Sequence, residues 1–527
     1  MDRVYKGIFV SVAAPIRIAK FFRRILAWFD WLDSCPLIFP KLIKYSIQLV
    51  RVVMDGLIEN LKRQTRYQYT AVIFLGIVAV TRSIFQVFFL RSPFEIHQDS
   101  KLFYHIGYIM TTGHVPYVDV WEVKPPLTYE TATLISIIGG GDPQQTHIIG
   151  VIATSLMVIG VAILLYMIIL ELFDDELAGV LSGAVWLSYP AVHYFPALGF
   201  RVKYFAFFFG LLGIYAALKE RPIFAGVLSA FAAAYWQFAL VFCILVLGIF
   251  ASNSSKSQGK EIKSIVWNRP LLGVIAGYLI AFIIVVGPIA LAGGFYPMIS
   301  EVIVSGLIAG ETSNPVRRLG RGLLKLKSAS PLVLLGVVSF VRILQPDIHR
   351  GKWISAGGLL FAIQIFFLDF DGAPDLLGGY LFVALGIGAL YAVSSTTVKN
   401  KIKVLVAVSL LISLVFMGGT GTIVRPIYED RPDQSNQAVL TQGVRFTGQM
   451  IGGDSLTDPQ RSQKSVDLRE QLGLPSIDRI YRTNWDPTTC HYFLSSAEQK
   501  WVHQTEAEWG DKKCGANSSY EILQLLK

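Results

Sequence analysis

Charge is scarce in this chain. Asp, Glu, Lys and Arg make up 16% of its 527 residues, against 53% hydrophobic residues, whereas a soluble domain is roughly a quarter charged. A water-soluble fold is therefore excluded for most of the sequence. Cysteine is scarce too: there are four, without the Cys-x-x-Cys spacing that would support metal ligation. No phosphate-binding loop ending in Gly-Lys-Ser/Thr, no His-Glu-x-x-His and no Gly-x-Ser-x-Gly occurs. These absences argue against an ATP-driven pump and a metalloprotease. No fixed-period repeat is evident, so the inverted-repeat signature of many secondary transporters is missing.

What is present is long apolar sequence. Residues 151–170, 271–294 and 376–395 run almost without charge, each long enough to cross about 30 Å of hydrocarbon as a helix. The expected fold is an α-helical polytopic membrane protein with roughly 10–13 membrane helices. The net charge of +10 then implies no nucleic-acid partner; in a bilayer, excess Lys and Arg mark the cytoplasmic side.

Three regions follow. Residues 1–66 alternate apolar and basic positions at helical spacing, as in Phe21, Phe22, Ile25 and Phe29 against Arg17, Lys20, Arg23 and Arg24. They read as basic amphipathic helices on the cytoplasmic leaflet, or as a soluble helical hairpin. Residues 67–424 form the membrane domain. Its first span, 69–90, places loop 91–126 outside, and basic segments 256–269 and 398–403 are expected inside. Residues 295–330 then form a second external loop, followed by spans 331–344, 354–370, 376–395 and 404–421. Two schemes fit the middle. If Lys219–Arg221 is cytoplasmic, 223–250 is a hairpin of two short helices, 127–141 does not cross fully, and Arg201 and Lys203 lie outside. If Lys219–Arg221 is external, both segments cross once. The first is favoured because it brings Arg201 and Lys203 beside the first loop. Residues 425–527 turn abruptly polar and are expected to form a small extracytoplasmic domain, with Cys490 and Cys514 as a disulfide pair.

The first external loop gathers carboxylates, imidazoles, aromatics and a lysine, an arrangement that is costly near hydrocarbon unless it has a task. It opens at Asp99, continues as an amphipathic helix over 100–110, and closes on Gly113-His114-Val115-Pro116-Tyr117-Val118-Asp119 and Lys124-Pro125-Pro126-Leu127. This pattern resembles the GT-C superfamily of integral membrane glycosyltransferases. With the polar C-terminal region, the chain looks most like archaeal dolichyl-phosphate-mannose mannosyltransferases that finish a surface-protein N-glycan. The resemblance implies transfer of a sugar, mannose by analogy, from a polyprenyl- or dolichyl-phosphate donor to a glycan or glycoprotein acceptor at the outer face of a cell membrane. It makes Asp99 the candidate base, with Asp119 and Glu122 behind it. Lys124 becomes a candidate donor-phosphate ligand. Arg201 and Lys203 join it under the favoured topology, and Arg317, Arg318 and Arg321 join it from the second loop.

Each assignment has a plainer counterpart. Asp99 can simply cap the helix that follows it, and Asp119 and Glu122 can pair with His114 or Lys124. Lys124 can snorkel at the interface, while His97, His105 and His114 read as solvated loop histidines and Asp369, Asp371 and Asp375 as a polar connector. Ser100 stands where many relatives carry a second acidic residue, and 199–203 lacks an Asp. No cofactor is expected, and a divalent metal is doubtful. A flippase or transporter for lipid-linked sugars, or a glycan ligase or polymerase, would use a similar cavity. Neither needs the acidic first loop.

Overall fold

The computed structural model describes residues 66–86, 97–111, 113, 115–118, 124–258, 269–304, 320, 322, 325–326, 329–346, 348, 350–368, 372–415, 489–491 and 503–505. The chain separates into two units, Met1–Ile73 and Phe74–Lys527. Of the first, only the opening turns of α1 are described. The basic amphipathic segments 1–65, Asp119, Glu122, Arg317, Arg318, Arg321 and the Cys490–Cys514 pairing lie outside the described residues.

The described residues are almost entirely helical. In order they are α1 Arg66–Phe85, α2 Gln98–Thr111, α3 Leu127–Ile138, α4 Pro143–Phe173, α5 Glu176–Ser188, α6 Ala191–Tyr194, α7 Val202–Leu218, α8 Pro222–Tyr235, α9 Leu240–Gln258, α10 Arg269–Leu291, α11 Phe295–Ile299, α12 Ser330–Ile343, α13 Lys352–Ile363, α14 Ala373–Val393 and α15 Thr396–Val415. Short 3-10 turns follow α6 and α8, and π-helical turns follow α11 and α13. Near the C-terminus β1 (Thr489–His491) pairs antiparallel with β2 (His503–Thr505), and Cys490 stands opposite Gln504.

Three helical segments, Gln145–Phe173, Arg269–Leu291 and Ala373–Val393, are long and apolar enough to cross a membrane; most of the other apolar helices are shorter. Their outward faces carry large apolar side chains in the open, such as Ile283 and Leu334 at 65% exposure each. Water would not tolerate such a surface, and lipid favours it. Where helices meet, they meet closely: a Cβ on Gly226 of α8 would lie 2.2 Å from the Val274 carbonyl of α10, and one on Gly277 would lie 2.3 Å from the Ile223 carbonyl. Small residues at the crossing let the two backbones touch, the usual solution where no hydrophobic force drives association.

Loop chemistry sets the helix ends. Asp142 accepts from the Gln145 N–H at 2.8 Å to start α4, whose first residue is Pro143. Asp175 starts α5 in the same way, accepting from the Ala178 N–H at 3.0 Å, and also pairs with Lys399. Lys219 pairs with Glu171, and Arg350 donates to the Leu172 carbonyl. Thus the 171–175, 219–221, 350–352 and 395–399 segments gather at one end of the bundle. The opposite end collects 97–100, 195–203, 235–237 and 372–375. Segment 222–258 is a pair of helices, broken where Trp236 turns extended at φ −152° and ψ 121°. With 12 residues, α3 is only about 18 Å long, too short to span.

Two expectations are corrected. Helix α2 begins at Gln98, one residue before Asp99, so Asp99 lies inside the first turn and does not cap it. The basic run 398–403 is not a connection ahead of a span at 404: it is already the start of α15, where Lys399 and Lys403 lie over Tyr391 and Lys399 pairs with Asp175.

Candidate active site

The site is built where α2 meets the connection 195–201. Gly199 sits at φ +121°, and a Cβ there would lie 2.9 Å from both Ser100 and the Tyr104 hydroxyl. Only glycine admits that approach. The same side chains then strap the strand in place. The Ser100 hydroxyl donates to the Phe200 carbonyl at 2.9 Å, and the Phe200 N–H donates to Tyr104 Oη at 2.7 Å. Thr154 of α4 accepts from the Arg201 N–H at 3.2 Å, while its single hydroxyl proton lies between the Gly150 carbonyl of its own helix at 2.8 Å and the Gly199 carbonyl at 3.2 Å. Arg201 is therefore fixed at its backbone before its side chain makes any contact.

Its guanidinium is buried and reaches Asp99 Oδ2 at 2.9 Å, while the Asp99 side chain stays 43% exposed. The same Nη1 donates to His97 Nδ1, and the guanidinium lies over the Phe195 ring at 5.4 Å. Two residues on, Lys203 pairs with the buried Asp375 carboxylate and lies over the Trp236 face at 4.8 Å. The second oxygen of Asp375 accepts from the Gly372 N–H at 3.0 Å, closing the first turn of α14. Lys124 is carried on a clamped backbone: its carbonyl accepts from Tyr117 Oη at 2.6 Å and its N–H donates to Tyr129 Oη at 3.3 Å. Tyr117 takes a left-handed φ of 68° to do so, a conformation uncommon outside glycine.

The electrostatics converge on Asp99. Burial pushes its carboxyl up, but the cations nearby, Arg201 first, then Lys124 and Lys203, outweigh this and hold it near about 2. Three cations thus surround one ionised, solvent-reaching carboxylate. A phosphodiester entering here would meet prepositioned donors, and a hydroxyl beside Asp99 would meet a proton acceptor.

Of the candidates read from the sequence, Asp99, Arg201, Lys203 and Lys124 lie in this one constellation. Among the described residues no group of three or more His, Cys, Asp and Glu is placed to hold a metal ion. Sequence reasoning did not anticipate the roles of His97, Asp375 and Trp236. The break at Tyr235-Trp236-Gln237 in an apolar run was the one signal for Trp236. Asp375 gave none, because its partner lies far along the chain.

Comparison with known proteins gives three findings. A family model described as DolP-mannose mannosyltransferase matches residues 113–286. A dolichol phosphate-mannose mannosyltransferase of Haloferax volcanii is 37% identical over 429 residues, covering 79% of this chain and 90% of that protein. Among solved structures, ArnT from Cupriavidus metallidurans bound to undecaprenyl phosphate aligns at 13% identity with a TM-score of 0.46, over 79% of this chain and 75% of that one.

Proposed function

Because the chain belongs to the dolichol phosphate-mannose mannosyltransferase family, we propose that it moves mannose from dolichyl phosphate to a hydroxyl of a surface glycan, with Asp99 as the base. It is a multi-pass membrane glycosyltransferase that takes its sugar from a polyprenyl phosphate. The donor carries its own activation, since the sugar C1 is already bonded to a phosphate that can leave. The acceptor oxygen forms a bond to C1, the C1–O bond to phosphate breaks, and the acceptor proton goes to Asp99. The dolichyl phosphate that departs gains negative charge, which Arg201, Lys203 and Lys124 neutralise.

The observation that carries this reading is the pairing of a half-exposed Asp99 with a buried Arg201 at 2.9 Å. While paired, the carboxylate is a weak base. A donor phosphate competes for the guanidinium, and each hydrogen bond it takes returns basicity to Asp99. Base and phosphate site are thus coupled through one side chain. The reading needs no divalent cation: Arg201 already engages Asp99, Ser100 supplies no carboxylate, and three nearby cations oppose a fourth.

Orientation follows from charge. Lys219, Arg221, Arg350, Lys352, Lys399 and Lys403 cluster at or near the end away from the site, which supports a cytoplasmic placement for that end and an outer-face placement for Asp99. Residues 425–527 then lie outside, and 1–65 inside. The test is transfer of labelled mannose from dolichyl-phosphate-mannose by Asp99→Asn protein in membranes, at matched protein level. Loss of at least about 10²-fold is expected for a missing base; retained turnover would move the base elsewhere.

A further inference from the structure

His97 Nδ1 is approached by two groups that can only donate. One is the Asp99 backbone N–H, at 3.2 Å; the other is Arg201 Nη1. A guanidinium has no acceptor to offer. Nδ1 must therefore carry its lone pair, and the imidazole is neutral with its proton on Nε2. The ring is itself held: the His97 N–H donates to the Leu198 carbonyl at 2.9 Å, and the ring packs edge-on against Phe195 at 5.9 Å. Phe195 also lies under the guanidinium. His97, Phe195 and Asp99 thus enclose Arg201 on three sides.

Resting on the function proposed above, we infer that neutral His97 is a positioning residue, aiming Arg201 at the donor phosphate and losing that aim when it is protonated. Among the described residues, the charged groups that face it are Asp99 from the first turn of α2 and Arg201 from the 195–201 connection, with Lys124 and Lys203 acting on the same carboxylate. Protonation places an N–H where two donors already point. The imidazolium then turns to the Asp99 carboxylate, now 3.7 Å away, and competes with Arg201 for it. Histidine is the side chain that most readily changes charge between pH 5 and 8. The donor is a phosphodiester whose charge does not change in that range, so an acid limb there belongs to the protein.

The experiment is steady-state transfer by full-length protein in membranes from pH 8 to 5.5, for wild type, His97→Asn and His97→Ala. For wild type, the donor KM is expected to rise about tenfold from pH 7.5 to 5.5. Asparagine offers an oxygen where Nδ1 sits and does not titrate. His97→Asn should therefore work within about tenfold of wild type at pH 7.5 and lose the acid rise. His97→Ala should raise the donor KM on the order of 10²-fold at every pH, as expected for a misaimed group. A wild-type KM that stays flat down to pH 5.5 overturns the inference without any variant. So does an acid rise that persists unchanged in His97→Asn. Folded wild-type protein that transfers nothing from dolichyl-phosphate-mannose at any pH overturns the proposed function instead.

Discussion

Asp99 owes its character to competition for one arginine. Its carboxyl is held at about 2, below the ordinary value near 3.9 for aspartate. A depressed carboxylate contributes stability that is complete above the unfolded value and disappears as pH falls through the folded one. With His97 replaced by Asn, which does not titrate, the Asp99–Arg201 pair should therefore stabilise the protein equally from pH 8 to about 4 and stop doing so near pH 2. Thermal unfolding of His97→Asn with and without Asp99→Asn checks this: the difference in Tm should be constant down to about pH 4 and shrink below. A difference that already changes between pH 7 and 5 would mean that another group governs the pair. Transfer is also expected to survive EDTA, since the side chains around Asp99 are cationic. Loss of activity restored by Mn²⁺ or Mg²⁺ would reveal ligands among residues such as Asp119 and Glu122. The reading of His97 as a solvated histidine failed for a spatial reason: Arg201 is over a hundred positions away, and no local pattern announces the meeting. Asp375, read as a connector, hid for the same reason.

At the scale of the element, helices α4, α10 and α14 were legible because the bilayer demands long uncharged runs and little else produces them. Their ends were harder, because a boundary depends on single side chains. Asp99 looked like a cap; the helix instead starts one residue earlier, where His97 Nδ1 accepts the Asp99 N–H. The contact between α8 and α10 was also invisible in the sequence, although Gly226 and Gly277 were there to read, since glycine in a membrane helix does not name its neighbour. That contact is the best place to test the bundle. Gly226→Leu forces a side chain into the Val274 carbonyl, and overpacking of this kind costs about 1–3 kcal/mol. The detergent-solubilised variant should melt well below wild type, while Gly76→Leu, which meets nothing within 4 Å, should not. Equal melting of all three would mean that α8 and α10 do not pack through these glycines.

For the whole molecule, division of labour is the open matter. The sequence beyond residue 424 turns polar, and the groups proposed above to act in transfer lie between Asp99 and Lys203. Truncation after Arg425 should therefore leave binding of the donor lipid near normal and weaken transfer to the native glycan. Binding of dolichyl-phosphate-mannose and transfer to native and minimal acceptors, measured side by side, separate the two. Normal transfer to the native glycan would reduce the C-terminal region to an appendage.

The length of α4 has one more consequence. Thr154, which holds the Gly199–Arg201 strand, stands about 28 Å along the helix from Phe173 at 1.5 Å per residue, close to one hydrocarbon thickness. If Arg201 receives the donor phosphate as proposed above, the helix acts as a ruler that sets the phosphate near the depth of the lipid headgroups. The donor then has no need to be lifted from its leaflet and reaches the enzyme by lateral diffusion, a search in two dimensions, while an acceptor from water searches three. Thickening the bilayer with longer acyl chains would sink the ruler's mark below the headgroups and slow capture of the donor, leaving the acceptor's approach unchanged.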